Sequence, residues 1–272
     1  MKKIISFFLV CVMFCADSFA FGNETHKELT RSAIERLILR LNLNNDDLFN
    51  DELFKELISS CNFPDQDGIL GFYTLFASHF YDPDDEYGLD AKNIINEGIF
   101  SKSVPGNALV ATIRFFDEAL KCWSEPGGNK EAMKKLGIAI HYAQDACCLA
   151  HQMSWWTNAK WFLWFPHFAH TTYEKNIDDY IVRNYRQLIE KQYGFEKDLK
   201  SYNSYNIIDV YPFVFSIVSS YSKILKDERF TDYYHYKINA ENIKFSEIFI
   251  AHIVTYELIC LFFKAVCIDI NI

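Results

Sequence analysis

The stretch that decides the fold is residues 136–177, LGIAIHYAQDACCLAHQMSWWTNAKWFLWFPHFAHTTYEKNI. His141 and Asp145 stand four apart, His151 follows six residues later, and His170 and Glu174 are again four apart. Side chains at i and i+4 share one face of a helix, so each pair can aim two ligand atoms at one point. Imidazole and carboxylate are the ligands of catalytic zinc. A lone His–carboxylate pair is ordinarily a satisfied polar contact. Here, however, the first helix is otherwise apolar and small (Ile138, Ala139, Ile140, Ala143, Ala146), which would bury His141 and Asp145. A buried ionised carboxylate needs a strong partner, and a metal ion is one of the few that suffice. Five such residues converging from two helices would hold more than one ion.

Outward from this stretch the chain reads as helices. Thr25 and Glu28 have the spacing of a capping box, and Leu29, Ala33, Ile34, Leu37, Ile38 and Leu41 keep helical period behind them. That reading puts His26 in a first helical turn. Further helices are expected over about 46–61, 106–124, from about Lys130 onward, about 208–225 with Pro212 in its first turn, and about 246–268. Residues 62–68, NFPDQDG, read as a loop by their Pro, Asp and Gly content. The final run is apolar enough to suggest a membrane span, but His252, Glu257 and Lys264 interrupt it, which favours a buried central helix. With no strand-like alternation, repeat, low-complexity tract or Gly-rich phosphate loop, the expected fold is all-α: one multi-helix bundle over residues 21–272.

Residues 1–20 have the pattern of a secretory signal: Lys2 and Lys3, an apolar run from Ile4 to Phe14, then Ser18-Phe19-Ala20. Cleavage after Ala20 would expose Phe21 as the new amino terminus and give a secreted or periplasmic protein. The formal charge is −9 over 272 residues, and losing the two lysines with Asp17 makes it more negative still. An acidic product has no general electrostatic attraction for nucleic acid or anionic lipid, so no specific nucleic-acid partner is expected. Cys61, Cys122, Cys147, Cys148, Cys260 and Cys267 would remain, enough for up to three disulfides in an oxidising compartment; the neighbours Cys147 and Cys148 are not expected to pair with each other.

Between the two ligand pairs, four of the five tryptophans fall in residues 155–166. Such a cluster is either core filler or, in a connection running over the surface, an anchor for the lipid interface. Both readings stay open. The Asp-rich segment at Asp82, Asp84 and Asp85 lacks the spacing of a calcium loop.

With His26, Asp65, His79, His141, Asp145, His151, His170 and Glu174 in hand, the chain resembles the zinc-dependent bacterial phospholipase C family, whose sister group is the S1/P1-type nucleases. The matching pieces, in family order over residues 21–174, are an N-terminal aromatic followed closely by His, Pro-Asp-x-Asp, His-Phe-Tyr-Asp-Pro-Asp, His-Tyr-x-x-Asp with a later His, and His-x-x-x-Glu. The resemblance implies up to three zinc ions in a helical bundle without an appended β-domain. Asp65, His79, His141 and Asp145 would hold the first, and His151, His170 and Glu174 the second. The third would take His26, the bridging Asp145 and the backbone amine and carbonyl of Phe21. Asp65 would also be the candidate general base. Asp67 and His167 are the rivals to Asp65 and His170. The implied partner is a phospholipid, met at a membrane surface through the 155–165 loop by a monomer. The chain departs from the family at Phe21 (usually Trp), at Gln144 (usually Gly) and at Cys148-Leu149-Ala150, where a Pro is common. The last two departures bear on substrate preference more than on metal binding. Glu174, where the nucleases typically have Asp, and the lack of a Gly-Gly-Asn segment before the last ligands favour a lipid phosphodiesterase over an extracellular nuclease. Complete ligands argue against a non-catalytic zinc-binding or membrane-adhering protein.

Overall fold

A computed structural model describes residues 22–41, 51–66, 79, 81, 108–148, 151–152, 177–179, 212, 214–223 and 240–266. The expectations for Phe21, Asp67, His167, His170, Glu174, the leader and the tryptophan loop lie outside these residues. Among the described residues no strand occurs, and the elements are helices α1 (Asn23–Leu41), α2 (Asp51–Ser60), α3 (Phe63–Gln66), α4 (Ala108–Ser124), α5 (Asn129–Ala146) and α6 (Ala240–Ala265), with further helical residues at 214–223.

Helix α5 is the centre. From Leu136 to Ala146 every one of its residues is buried, because α4, α2 and α6 enclose it on separate sides. Its companion α4 is periodic and buries Leu109, Ile113, Phe116 and Ala119, with the Phe116 ring edge-on to Phe262 of α6 at 6.0 Å. Helix α2 crosses α5 at Gly137. A Cβ there would stand 2.6 Å from the Leu57 carbonyl oxygen and 2.8 Å from Ser60 Cβ, so only glycine lets the two backbones approach this closely.

The stretch 247–265 of α6 is long and apolar enough to cross a membrane by composition, yet 72% of its apolar window is covered by protein. Its polar side chains meet protein partners: His252 Nε2 lies 3.0 Å from Ser32 Oγ, Thr255 Oγ1 accepts from Gln144, and Glu257 accepts from the Tyr221 hydroxyl at 3.0 Å. It is therefore the buried core helix that its charges suggested.

Two local readings are corrected. Helix α1 starts at Asn23, so Thr25 is its third residue and not its cap; the Thr25 hydroxyl donates to Asp178, and Glu28 pairs with Arg31 instead of reaching back. Residues 63–66, expected as loop, form one helical turn, since Pro64 is tolerated where a helix has no amide bond to lose. The cysteines are likewise not all cross-linked: Cys61, Cys122 and Cys147 are thiols, two of them fully buried.

Candidate metal centre

The C-terminal turn of α5 carries His141, Gln144 and Asp145, each with no exposed surface. Against it the fold sets His26 from the first turn of α1, Asp65 from α3, and His79 and His151 from the connections. These residues form three overlapping groups: His26, His141 and Asp145; Asp65, His79 and His141; His79, Asp145 and His151. Within each group the ligand atoms lie within 4.8 Å of one another.

The distances suit a tetrahedral ion. Two N or O atoms bound to one zinc at 2.0–2.1 Å are about 3.3 Å apart. His141 Nε2 stands 3.2 Å from His79 Nδ1, 3.2 Å from Asp145 Oδ2 and 3.4 Å from Asp65 Oδ1. His26 Nε2 stands 3.4 Å from Asp145 Oδ1. The contact of His79 Nδ1 with Asp145 Oδ2 is closer, 2.5 Å, and is a direct hydrogen bond that an ion would have to part.

Three of the histidines have the outer contacts that metal ligands show, with the nitrogen turned away from the cluster bonded to an oxygen. His141 Nδ1 donates to the Cys61 carbonyl at 2.6 Å, His151 Nδ1 to the His79 carbonyl at 2.8 Å, and His26 Nδ1 to Gln144 Oε1 at 2.6 Å. Each bond fixes the ring and leaves Nε2 for the cluster.

The electrostatics agree. Burial holds the His26 imidazole down at about 3, with His141 adding to the effect, so it stays neutral with a lone pair to give. Burial opposes charge on His141 too, but Asp145 and Asp65 overcome it and push its pKa up to about 9. Burial would raise Asp145; His141 and His79 instead hold its carboxyl well below the usual range. The carboxylates thus favour positive charge at the point the ligand atoms surround, and a divalent ion supplies it without a proton.

The sequence profile of the family described as zinc-dependent phospholipase C matches residues 25–269. The chain belongs to the zinc-dependent phospholipase C family. It is accordingly a phosphodiester hydrolase with zinc as cofactor and phospholipid as substrate class. Among the solved structures that share the fold are two bacterial toxins. The alpha toxin from Clostridium absonum superposes with a TM-score of 0.56 at 18% identity, covering 94% of this chain and 67% of the toxin. The Clostridium perfringens alpha-toxin from an avian strain gives 0.55 at 18% identity, covering 92% and 65%. The chain therefore spans about two thirds of the length of these toxins. No curated protein sequence matches it.

In this phospholipase C family member, all six expected ligands that fall in the described residues, His26, Asp65, His79, His141, Asp145 and His151, come together. One neighbour was missed. Asp178 accepts from the Thr25 amide at 3.1 Å and from its hydroxyl, and so fastens the first turn of α1, with His26 in it, to the segment four residues beyond Glu174. Its carboxylate packs where a Cβ on Gly22 would stand, so a larger residue at 22 would displace the Asp178 side chain. The spacing of four from Glu174 was the signal available. Gln144, a departure from the family read as bearing on substrate preference more than on metal binding, lies beside His26 inside the protein. The Pro absent before His151 is replaced by backbone bonds. Cys147 N donates to the Gln144 carbonyl, Cys148 N to the Asp145 carbonyl and His151 N to the Cys148 carbonyl, each at 2.9 Å. The Ala146 carbonyl at the end of α5 accepts from Gln152 and Ser222 at 3.1 and 2.6 Å.

Proposed function

We propose that the protein is an exported, monomeric phospholipase C that cleaves phospholipids to diacylglycerol and a phosphorylated head group. The observation that carries this reading is the nest around His141, whose Nε2 has an imidazole nitrogen and two carboxylates at 3.2–3.4 Å. Asp65, His79, His141 and Asp145 would hold one zinc, His151 with His170 and Glu174 a second, and His26 with Asp145 and the backbone of Phe21 a third. Elemental analysis of the mature protein reads that count directly. Bound zinc would polarise the phosphate oxygens and bring a water pKa towards neutrality.

The chain's own residues supply the remainder. Asp65 sits at the edge of the nest on a four-residue helix, where its carboxylate would both hold an ion and take the proton of the attacking water. Asp145, shared between groups, would keep two ions at a fixed separation. His141 and His151 are held by the Cys61 and His79 carbonyls, so they do not turn as charge develops on the phosphate. The tryptophans at 155, 156, 161 and 164 would enter the lipid interface, where each aromatic taken out of water contributes roughly 1.5–3 kcal/mol. Release of amine and free Phe21 by leader removal would make export a condition of activity.

The test is a side-by-side assay on phosphatidylcholine vesicles, a short-chain soluble phosphatidylcholine and single-stranded DNA. The expected outcome is head-group release from both lipids, faster on vesicles, with no nucleotide release. Cleavage of DNA alone would assign the protein to the nuclease branch, and equal rates on the two lipids would remove the loop from the lipid interface.

A further inference from the structure

We infer that Gln144 is a positioning residue that sets the tautomer of His26 and thereby makes a zinc ligand of it. The inference rests on His26 being a ligand, as proposed above.

The amide of Gln144 bridges three helices. From α5 its Nε2 donates to Thr30 Oγ1 of α1 at 3.2 Å and to Thr255 Oγ1 of α6 at 2.9 Å, while its Oε1 lies 2.6 Å from His26 Nδ1. Which end of an amide faces which partner must be read from the surrounding bonds. Here they leave one choice. The Thr255 hydroxyl spends its proton on the Ala251 carbonyl at 2.7 Å. The Cys61 thiol donates to the Leu57 carbonyl at 3.3 Å, so the Thr30 hydroxyl, 3.1 Å from that sulfur, donates to it. Both threonine oxygens thus present lone pairs, and only the NH2 end of Gln144 can meet two lone pairs. Its carbonyl end is therefore fixed towards His26. Nδ1 must carry the hydrogen, and Nε2 carries the lone pair, 3.4 Å from Asp145 Oδ1.

The alternative tautomer would set the Nδ1 lone pair against a carbonyl oxygen inside the protein, and would aim an N–H at the ion. All of the groups concerned are buried, where leaving a hydrogen bond unmade is costly. Outer-shell partners of ligating histidines are worth about 10- to 100-fold in metal affinity. A glycine at 144 could not supply this contact, so a member with glycine there must orient the ring by other means.

The experiment measures zinc content by elemental analysis and zinc affinity by competition with a chromogenic chelator, together with the 15N shifts of the His26 ring. It compares the mature enzyme with His26→Ala, Gln144→Leu, Gln144→Glu and Thr255→Val. His26→Ala should lose one zinc. Gln144→Leu should bind that zinc about 10- to 100-fold more weakly, with Nδ1–H no longer the sole tautomer. Gln144→Glu keeps an acceptor for Nδ1, its other oxygen taking the Thr30 and Thr255 hydroxyl protons once these turn from the Cys61 sulfur and the Ala251 carbonyl, and should restore affinity to within a few-fold. If Gln144→Leu does not fold, Thr255→Val removes one of the two bonds that fix the amide and should weaken the same zinc. Wild-type affinity in Gln144→Leu, or in Thr255→Val where that stands in, overturns the inference while His26 remains a ligand. Equal weakening in Leu and Glu variants makes Gln144 a packing residue and overturns it too. A full zinc complement in His26→Ala rejects the ligand reading, and the inference falls with it.

Discussion

His252 shows how one buried side chain sets a pH limit away from the metal. It sits on α6 with 2% of its surface exposed, its Nε2 against Ser32 Oγ, and burial, with the Arg36 guanidinium nearby, pushes its pKa down to about 3. The unfolded chain would take up a proton there below about pH 6.5. The folded chain refuses it until about pH 3, so the unfolded state binds more protons across that window and stability falls as pH falls. Each unit of that window is worth up to about 1.4 kcal/mol. His252→Asn keeps a polar partner for Ser32 and has no proton to gain. Its urea midpoint should therefore decline less steeply than that of the unchanged protein between about pH 6 and pH 4. Parallel declines would show that His252 already titrates normally.

At the scale of elements, the crossing of α2 and α5 links packing to the site. Gly137 lies one helical turn before His141, and the backbone it admits ends in Cys61, whose carbonyl holds His141 Nδ1. Alanine at 137 gains about 1 kcal/mol in helix propensity but forces α2 outward, because the atoms in the way are backbone and a Cβ rather than a flexible side-chain end. Overpacking of this kind costs typically 1–3 kcal/mol. Gly137→Ala should lower the unfolding midpoint and weaken zinc binding together, whereas loss of stability with unchanged zinc affinity would show that the Cys61 carbonyl does not hold His141 in place. The same crossing explains what could be read in advance. The helices and the i, i+4 pair on α5 follow from local period, and local period is written in consecutive residues. Gln144 with His26, Asp178 with Thr25, and Cys61 with His141 join residues at least 80 apart in sequence. No local pattern marks such contacts, which is why the pairing of Gln144 with His26 could not be read in advance. The helical turn at 63–66 was missed because Pro and Asp suit a first turn as well as a loop.

For the molecule as a whole, the centre draws on α1, α3, α5 and two connections, while the apolar core around α4, α5 and α6 is built without it. Zinc bound only by the folded chain stabilises by mass action, about 4 kcal/mol at a thousandfold excess over Kd. Removing it with a chelator should lower the thermal midpoint by several degrees while leaving far-ultraviolet dichroism at room temperature helical. Loss of helix on chelation would mean that the metal and not the core defines the fold; an unchanged midpoint would mean that these ligands bind no stabilising ion.

Cys61 ties the two supports of the centre together, with its carbonyl on His141 and its sulfur against Thr30, which in turn meets Gln144. Its thiol is fully covered, and burial pushes its pKa up to about 12, so it is closed to alkylating reagents for as long as this corner stays shut. The rate at which a maleimide reaches that sulfur is then a clock for the brief openings of the corner, carried by the native chain with no added label.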